Sequence, residues 1–478
     1  MASEREEPST TPASPSLTVD LAVIGFGKGG KTLAATLAKA GKRVAMIEQS
    51  AQMYGGTCIN IGCVPTKALV YRGEHPELLG DAGGEPADDS ARWTAAVGAT
   101  SELTALLRDK NFAMLDTPDT ATVITGFATF VDPHTLLVAA GDDRLTVHAD
   151  TIVINTGAVP AIPDIPGLRE SSRVVTSTEL LALPQRPDRL IVLGGGYVGV
   201  EFASMQAAFG AEVTLIQRSE RILPAEDPDI SARITVLLAE SGVDVITGAA
   251  LSGVADGEDA TSVSFTRSDG VADSVDGDLV LAALGRRPMT DGLGLDAVGI
   301  ETDARGAVVV DEHLRTSIPR VFAVGDVNGG PQYTYVSLDD YRIVLDQLTG
   351  AGIRSTADRV AVPHVVFTTP PLARVGLNEH QAHATGRALL TATREVEAMA
   401  TVPRARIVGD TRGVMKAVAD AATGEILGVT VLAHDAHEVI NTVAVAMRFG
   451  ATATQLRDGI YTHPSMTEAL NDLFGALA

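Results

Sequence analysis

The sequence predicts an α/β fold. Two glycine-rich turns indicate this class, because each stands between an apolar strand and a helix. The composition agrees: the 478 residues include 47 glycines and 45% hydrophobic residues but only 4% aromatic residues. This composition suits an α/β enzyme with many tight turns, and the length allows about two to four domains.

The net charge of the chain and the composition of its N-terminal segment narrow the binding partners and the cellular location that we expect. The formal net charge is −23 at pH 7, which argues against nucleic acid or an anionic membrane surface as a partner. No run reaches the length of about 18 apolar residues that a membrane helix needs. Residues 1–16 are rich in Ser, Thr, Pro and Glu, so we expect a disordered tail rather than a signal peptide. These features predict a cytoplasmic protein.

The first glycine-rich turn reads Gly25-Phe-Gly27-Lys-Gly-Gly30, between an apolar strand and an Ala/Leu-rich helix. A second strand follows and closes on Glu48, about 20 residues after the glycines. Glycines at these positions let backbone N–H groups at the helix N-terminus approach a pyrophosphate, and the acid accepts from a ribose hydroxyl. The segment predicts a Rossmann-like dinucleotide site.

The pattern returns at Gly194-Gly-Gly196-Tyr-Val-Gly199, which precedes a predicted helix over 202–210 and a strand over 212–216. The chain therefore contains two predicted Rossmann-like domains.

The second of these strands ends at Gln217 rather than at an acid, and Arg218 and Arg221 follow it. A carboxylate at this place favours NAD, whereas arginine accommodates a 2′-phosphate. We therefore predict a preference for NADPH. The alternative is a permissive NADH site with two solvated surface arginines.

Cys58 and Cys63 are the only cysteines of the chain. A structural framework would need several cysteines, so this pair predicts a catalytic disulfide. Five residues of regular helix rise about 7.5 Å, more than bridged Cα atoms allow, so we expect a bend at Gly62 and Pro65. The alternatives are two buried apolar cysteines or half of a zinc site.

The run Gly55-Gly-Thr-Cys58-Ile-Asn-Ile-Gly-Cys63-Val-Pro-Thr-Lys67 resembles the signature of the class I flavoprotein disulfide reductases, such as dihydrolipoamide dehydrogenase, glutathione reductase and mercuric reductase. The resemblance covers residues 17–477. Its other markers stand in family order: Asn155-Thr-Gly157, Gly285-Arg-Arg-Pro288, Ala323-Val-Gly325-Asp326 and His463-Pro-Ser-Met-Thr-Glu468.

The resemblance implies an FAD-binding domain over 17–166 and 290–356, an NAD(P)H-binding domain over 167–289, and an α+β dimerisation domain over 362–478. It also implies a homodimer. The implied FAD contacts are Gly25, Gly27, Gly30, Glu48, Thr57, Thr156, Gly157, Gly325 and Asp326. The implied contacts to the nicotinamide nucleotide are Gly194, Gly196, Tyr197, Gly199, Arg218 and Arg221.

The resemblance assigns roles in catalysis as well. Electrons pass from NAD(P)H through FAD to the Cys58–Cys63 disulfide. Cys63 faces the flavin, and Cys58 attacks the substrate. Lys67, paired with Glu201, stabilises negative charge on thiolate and flavin; without the resemblance, a solvated helix lysine is the simpler interpretation.

Three more side chains carry predictions from the resemblance. Tyr197 covers the flavin until nicotinamide displaces it, or else packs in the core. His463 and Glu468 form an acid–base dyad that serves the disulfide of the other subunit. The alternative for His463 is a capping role.

His434, His437 and Glu438 form a His-x-x-His-Glu cluster that invites a metal hypothesis. The resemblance places this cluster in the dimerisation domain, so we predict no resident metal site.

The family includes several substrate classes, and four members fit poorly. Gln217 replaces the NAD-selecting acid of dihydrolipoamide dehydrogenase, and Ala35 stands where glutathione reductase has its glutathione-binding arginine. The C-terminus has no cysteine pair, which argues against mercuric reductase proper and against high-molecular-weight thioredoxin reductases.

The sequence most resembles the bacterial reactive-chlorine-resistance flavoproteins, which are copper(II) reductases. Met53-Tyr-Gly-Gly-Thr-Cys58 and Tyr335-x-Ser-Leu-Asp-Asp-Tyr-Arg-Ile-Val344 carry this resemblance, although those relatives have glutamate at Gln217. The implied acceptor is copper(II), mercury(II) or a small disulfide, in defence against oxidant or metal stress. The alternatives are a dihydrolipoamide dehydrogenase-like or low-molecular-weight disulfide reductase, a flavoprotein redox sensor, and a disulfide-independent diaphorase or transhydrogenase.

Overall fold

The computed structural model describes residues 15–79, 88–399 and 402–478. Its internal contacts divide the chain into two compact units. Unit 1 comprises Met1–Val64, Glu102–Val159 and Arg287–Thr356, and unit 2 comprises Pro65–Ser101, Pro160–Arg286 and Ala357–Ala478. Residues 1–14 of the predicted tail and most of the acidic segment before Asp89 lie outside the described residues. The domain limits predicted from the sequence remain predictions.

Helices and strands are interspersed along the described chain, and runs of consecutive strands occupy residues 121–175 and 243–288. The helices are α1 Lys28–Lys39, α2 Thr57–Asn60, α3 Cys63–Glu74, α4 Asp89–Asp116, α5 Ser177–Leu181, α6 Tyr197–Ala208, α7 Pro228–Glu240, α8 Thr334–Thr349, α9 Glu379–Ala384, α10 Pro403–Ile407, α11 Ala436–Arg448, α12 Ala453–Arg457 and α13 Ala469–Gly475. The strands are β1 Ser16–Ile24, β2 Val44–Glu48, β3 Ala121–Thr125, β4 Phe127–Asp132, β5 Thr135–Ala140, β6 Asp143–Ile154, β7 Ala158–Pro160, β8 Val174–Val175, β9 Arg189–Leu193, β10 Glu212–Ile216, β11 Val243–Ile246, β12 Ala249–Asp256, β13 Thr261–Arg267, β14 Ala272–Gly277, β15 Leu279–Ala282, β16 Arg286–Pro288, β17 Val321–Ala323, β18 His364–Val366, β19 Leu372–Gly376, β20 Leu389–Glu395, β21 Val414–Asp420 and β22 Ile426–Leu432.

Unit 1 is built on a sheet with the strand order β3-β2-β1-β6-β5-β4, and β17 also pairs with β6. The strands β1, β2, β3, β6 and β17 pair in parallel, and β4 and β5 add an antiparallel edge. Every residue of β2 is buried, as expected for a parallel strand that is covered on both faces. Leu33 and Leu37 of α1 pack against Leu21 and Met46 of the sheet. This packing fixes the end of β1 relative to the start of α1.

Unit 2 contains a parallel sheet with the order β11-β10-β9-β15-β8. Strand β10 matches the predicted strand, but α6 begins at Tyr197 rather than at Phe202. The helix starts earlier because Gly196 is extended at its N-cap, and the turn that follows buries Val200. An antiparallel sheet of β12, β13 and β14 lies in the same unit.

The C-terminal part of unit 2 is an antiparallel sheet with the order β18-β19-β22-β21-β20. Strands β21 and β22 are buried along their whole length, and α11 packs against β19 and β22. This arrangement confirms the predicted α+β portion. None of the helices in the described ranges combines the length and the apolar character that crossing a membrane requires.

Candidate active site

The first glycine-rich turn joins the end of β1 to α1 and lies against Asn155. Gly25 has a φ of +97°, and a Cβ there would lie 2.4 Å from the carbonyl oxygen of Asn155. A Cβ at Gly27 or Gly30 would lie 2.6 Å from Asn155 Nδ2, which itself donates to the Gly25 carbonyl at 3.0 Å. These positions accept only glycine because the backbone of the turn is in direct contact with its neighbours.

Glu48 ends β2 and faces this turn. Its side chain accepts from the backbone N–H of Phe26 at 2.9 Å and from that of Ser50 at 3.3 Å. Burial raises the pKa of Glu48, although these backbone donors oppose the effect. Glu48, Gly25 and Thr156 line one pocket, so the structure brings together three of the predicted FAD contacts.

The other predicted FAD contacts lie in the same unit. Thr156 Oγ1 donates to the Met289 carbonyl at 2.5 Å, and a Cβ at Gly157 would lie 4.0 Å from Thr57 Oγ1. Gly325 has a φ of +74° and donates its N–H to Asp340 at 2.6 Å, and Asp326 follows in a short 3-10 turn.

Cys58 and Cys63 lie on two consecutive helices, α2 and α3. Helix α2 ends at Asn60 and α3 begins at Cys63, so the chain bends at Ile61 and Gly62. Both cysteines are free thiols in this structure, with Cys58 partly buried and Cys63 exposed. A hydrogen bond between the two side chains, together with burial, raises the pKa of the Cys58 thiol. The two sulfurs are therefore direct neighbours.

Cys63 also contacts the first residue of α8. Its Sγ lies 3.5 Å from Thr334 Oγ1. The hydroxyl of Thr334 lowers the pKa of Cys58, in opposition to the effect of Cys63.

The second glycine-rich turn repeats the geometry of the first. Gly194 has a φ of +105°, and a Cβ there would lie 2.5 Å from the Ala283 carbonyl oxygen. Gly196 caps α6, and a Cβ at Gly199 would collide with the carbonyl of Gly194. Tyr197 is the first residue of α6, directly after this turn.

Gln217 occupies the place that an acid would take after β10. Its Oε1 accepts from the Gly195 N–H at 2.9 Å, and its Nε2 donates to Ser219. Arg218 and Arg221 are both exposed, and Arg221 donates to the Pro224 carbonyl at 3.3 Å. Within the described chain, Arg218 has no side-chain hydrogen bond, so its guanidinium is available to an anion.

Lys67 and Glu201 form the ion pair that the resemblance implied. Lys67 Nζ lies 2.6 Å from Glu201 Oε2, and the other carboxylate oxygen accepts from the Phe367 N–H at 2.8 Å. The ammonium also lies 4.7 Å from the centre of the Phe367 ring. Lys67 is thus held by a carboxylate and an aromatic face, unlike a solvated helix lysine.

His463 and Glu468 are also paired. His463 Nδ1 lies 2.8 Å from Glu468 Oε2, while Glu468 Oε1 accepts from the Ser465 N–H at 3.1 Å. The side chain of His463 is 67% exposed and that of Glu468 only 13%. The carboxylate therefore fixes the imidazole from below and leaves its other nitrogen accessible to a second group.

Two protein-family models match the chain. The model described as pyridine nucleotide-disulphide oxidoreductase matches residues 19–340, and the model of the dimerisation domain of the same family matches residues 362–474. The chain belongs to the pyridine nucleotide-disulphide oxidoreductase family. Members of this enzyme family are FAD-dependent and use NAD(P)H, and the dimerisation domain implies a homodimer.

Relatives of this oxidoreductase cover nearly its full length. It is 46% identical to the probable pyridine nucleotide-disulfide oxidoreductase RclA of Escherichia coli, over 95% of this chain and 98% of that protein. It is 39% identical to the mercuric reductase of Streptomyces lividans, over 94% of each chain. The solved Cu(II) complex of the HOCl-induced flavoprotein disulfide reductase RclA from E. coli matches with a TM-score of 0.89, over 96% of this chain and 99% of that one.

The residues of the first turn of this oxidoreductase fit FAD. Gly25, Gly27 and Gly30 let the turn pack closely against Asn155, and the turn leads into the N-terminus of α1, where a pyrophosphate would accept from N–H groups. Glu48 lies at the pocket beside this turn, where its carboxylate would accept from a ribose.

The sequence analysis missed a buried polar group in unit 2 of the oxidoreductase. Glu226 accepts from Tyr197 Oη at 3.0 Å, pairs with His364 Nε2 at 3.1 Å, and accepts from Arg374 Nε at 2.8 Å. Burial alone would raise the pKa of Glu226, but His364 and Arg374 hold it at about 2. The four residues come from separate segments without a characteristic spacing, so no local signal pointed to them.

The His434, His437 and Glu438 segment of the oxidoreductase pairs locally. His434 Nε2 lies 3.3 Å from Asp435, and the His437 ring packs on Phe367 at 5.5 Å between ring centres. Over the described ranges, no group of three or more His, Cys, Asp or Glu side chains is arranged to hold a metal ion.

Proposed function

We propose that the protein is an NAD(P)H-dependent reductase that delivers electrons through Cys58 and Cys63 to copper(II), to mercury(II) or to a small disulfide. The observation that carries this proposal is the direct contact between the two thiols, in the unit that also contains the first dinucleotide turn. The chain has no other sulfur that could form a disulfide. The similarity to RclA, whose solved structure is a Cu(II) complex, supports a metal ion as the acceptor.

FAD would be held by the residues at the first turn. The turn of Gly25, Gly27 and Gly30 would present the N–H groups at the start of α1 to the pyrophosphate, and Glu48 would accept from the ribose. Further contacts are assigned to Thr57, Thr156, Gly157, Gly325 and Asp326. When bound, FAD supplies a ring that accepts a hydride and passes two electrons to a disulfide. The domain limits of 17–166 and 290–356 for this function belong to the proposal.

The nicotinamide nucleotide would bind at the second turn, with Gly194, Gly196 and Gly199 facing its pyrophosphate. We assign NADPH as the preferred donor because Arg218 and Arg221 are exposed next to Gln217, which carries no charge to repel a 2′-phosphate. Tyr197 would cover the flavin until the nicotinamide arrives. Residues 167–289 form this domain in the proposal.

Two electrons pass from NAD(P)H to the disulfide and from the resulting dithiol to the acceptor. NAD(P)H and one proton reduce the Cys58–Cys63 disulfide to two thiols. The two thiols then reduce two Cu(II) ions to Cu(I), and the disulfide forms again with the release of two protons. One Hg(II) ion reduced to Hg(0), or one small disulfide reduced to two thiols, uses the same two electrons.

Two further pairs would move or stabilise charge. Lys67, fixed by Glu201, stabilises the negative charge that appears when the disulfide opens. His463, oriented by Glu468, takes up and returns the thiol proton. In the proposal this dyad serves the disulfide of the partner subunit across the dimerisation domain, residues 362–478, and the use of NADPH fits a location in the cytoplasm.

The test is steady-state turnover of the FAD-loaded protein with NADPH and, separately, Cu(II), Hg(II), lipoamide and glutathione disulfide. We expect turnover with a metal ion, trapped as Cu(I) by a chelator, and its loss in Cys58→Ser. A redox sensor would instead be reduced by NADPH and turn over with none of these acceptors. Activity that survives in Cys58→Ser would identify a diaphorase and refute the proposal.

A further inference from the structure

Lys31 on α1 is a lysine in an unusual environment. Its residue is only 4% exposed, although lysine is almost never fully buried without a charged partner. It lies one turn into the helix that follows the first glycine-rich turn, on the face that packs into unit 1. Helix α1 needs no lysine for its packing, since Leu33 and Leu37 provide its apolar contacts.

The ammonium of Lys31 joins three segments of unit 1. Nζ donates to the Gly55 carbonyl at 3.0 Å and to Asn111 Oδ1 of α4 at 2.5 Å. Lysine has three N–H donors, and the described residues provide two acceptors. One donor is therefore left for a further anion.

The carbonyl that Lys31 holds belongs to the turn in front of Cys58. Gly55 and Gly56 have φ values of +98° and +79°, and a Cβ at Gly56 would lie 2.7 Å from the Cα of Gly27. Helix α2, which carries Cys58, begins at the next residue. Fixing this turn therefore fixes the position of the Cys58 sulfur.

Charge links the same two residues. Burial lowers the pKa of Lys31 to about 8, repulsion from Lys28 adds to this effect, and attraction to Cys58 opposes it. In return, Lys31 lowers the pKa of Cys58, against the raising effects of Cys63 and of burial. Thr334 acts in the same direction as Lys31, as a neutral hydroxyl. The positive charge of Lys31 thus favours the ionised form of Cys58, and its contact to the Gly55 carbonyl ties it to the turn in front of that cysteine.

We propose that Lys31 is a positioning residue for Cys58, which holds the Gly55–Gly56 turn and stabilises the Cys58 thiolate when the disulfide is open. Breaking the sulfur–sulfur bond with two electrons leaves two thiolates, and each takes up a proton unless a nearby cation keeps it ionised. The inference rests on the proposed function, in which Cys58 is the sulfur that meets the acceptor. The inference adds Lys31 to the residues of the proposed function. This cation, which the sequence analysis did not select, would raise the fraction of Cys58 that is present as the reactive thiolate.

The test uses the Cys63→Ser variant with FAD bound, because Cys58 is then the only thiol of the chain. The rate of alkylation by iodoacetamide is followed against pH. In Lys31→Met we expect the thiol profile to move up by about one pH unit, which lowers the rate near neutral pH about tenfold. Lys31→Arg keeps the charge and should keep the profile.

Two substitutions of Asn111 separate the effect of the Lys31 charge from the effect of its hydrogen bonds. Asn111→Asp leaves an acceptor for Lys31 but places an anion beside it, so it should slow alkylation as Lys31→Met does. Asn111→Ala removes the acceptor, keeps the charge, and should have the smaller effect. This pair also decides the matter if Lys31→Met does not fold.

Identical alkylation profiles in all folded variants would overturn the inference and leave Lys31 a structural tie. Alkylation needs neither NADPH nor an acceptor. A shifted profile in a protein that turns over with no acceptor would therefore refute the proposed function alone.

Discussion

Gln217 and Glu48 make the same contact in the two nucleotide turns. Gln217 Oε1 accepts from the Gly195 N–H at 2.9 Å, and Glu48 Oε2 accepts from the Phe26 N–H at 2.9 Å. In each case the acceptor stands at the C-terminal end of the second strand and binds the residue after the first glycine of the turn. The two turns therefore share this contact and differ in the charge of the accepting side chain.

Gln217→Glu should move the nucleotide preference towards NADH. A carboxylate accepts from a free 2′-hydroxyl and repels a 2′-phosphate, while the contact to Gly195 can remain. We expect the ratio of kcat/KM for NADPH to that for NADH to fall by about tenfold, about 1.4 kcal/mol. Steady-state kinetics with both nucleotides measures this. An unchanged ratio would contradict a role of residue 217 in the preference between NADPH and NADH.

His463→Gln should lower kcat by about 100-fold, because it removes the proposed proton carrier. Reduction of the bound flavin by NADPH should stay unchanged, since that half-reaction does not involve the dyad. His75→Gln is a matched control, because His75 Nδ1 lies 3.0 Å from Glu77 in another exposed pair. Rapid-mixing and steady-state measurements distinguish the two half-reactions. Equal effects of the two substitutions would contradict a specific role for His463.

Glu226→Gln should lower the free energy of unfolding at pH 7 by about 3 kcal/mol, because it leaves the buried Arg374 without an anion. The pKa of Glu226 lies at about 2, below its ordinary value of 4.5. Its ionised form therefore stabilises the fold above about pH 4.5, and this contribution is lost as the pH falls towards 2. The difference between variant and parent should shrink over that window. Urea unfolding at pH 7 and at pH 3 measures it, and a difference that does not depend on pH would refute this account.

Gly25→Ala should yield a folded protein that loses FAD. The substitution places a side chain at a φ of +97° and 2.4 Å from the Asn155 carbonyl oxygen, at the turn proposed to bind the pyrophosphate. Gly141→Ala is the control, since Gly141 has a φ of +60° but open space around its missing Cβ. Flavin absorbance per mole of purified protein is the readout. Full flavin content in Gly25→Ala would exclude this turn as the FAD site.

The regular parts of the fold followed from local sequence signals. The apolar run that ends at Ile24 and the strand over 212–216 predicted buried parallel strands, and the glycines predicted the turns after β1 and β9. The predicted start of α6 was wrong by about one and a half turns. The residues between Gly196 and Phe202 contain no side chain typical of a helix N-cap.

The site was predictable where its residues lie close together in the chain. Cys58 and Cys63, or His463 and Glu468, stand at short fixed spacings, and resemblance to a family could locate them. Glu226 with Arg374, and Lys31 with Asn111, are separated by 148 and 80 residues. Their partners are decided by how sheets and helices pack, and no periodicity of the sequence encodes that choice. Glu226 and Lys31 have in common that each is a buried charged group, and burial is visible only in the three-dimensional structure.

The exposed Cys63 sits directly beside the more sheltered Cys58, and the chain holds no third thiol. An oxidant that converts Cys63 to a sulfenic acid therefore meets one resolving partner, and the bond that results is the same one that NAD(P)H opens in each cycle. Mispaired crosslinks within a subunit are chemically unattainable. Oxidation of this pair would therefore be a step that the proposed reaction with NAD(P)H reverses.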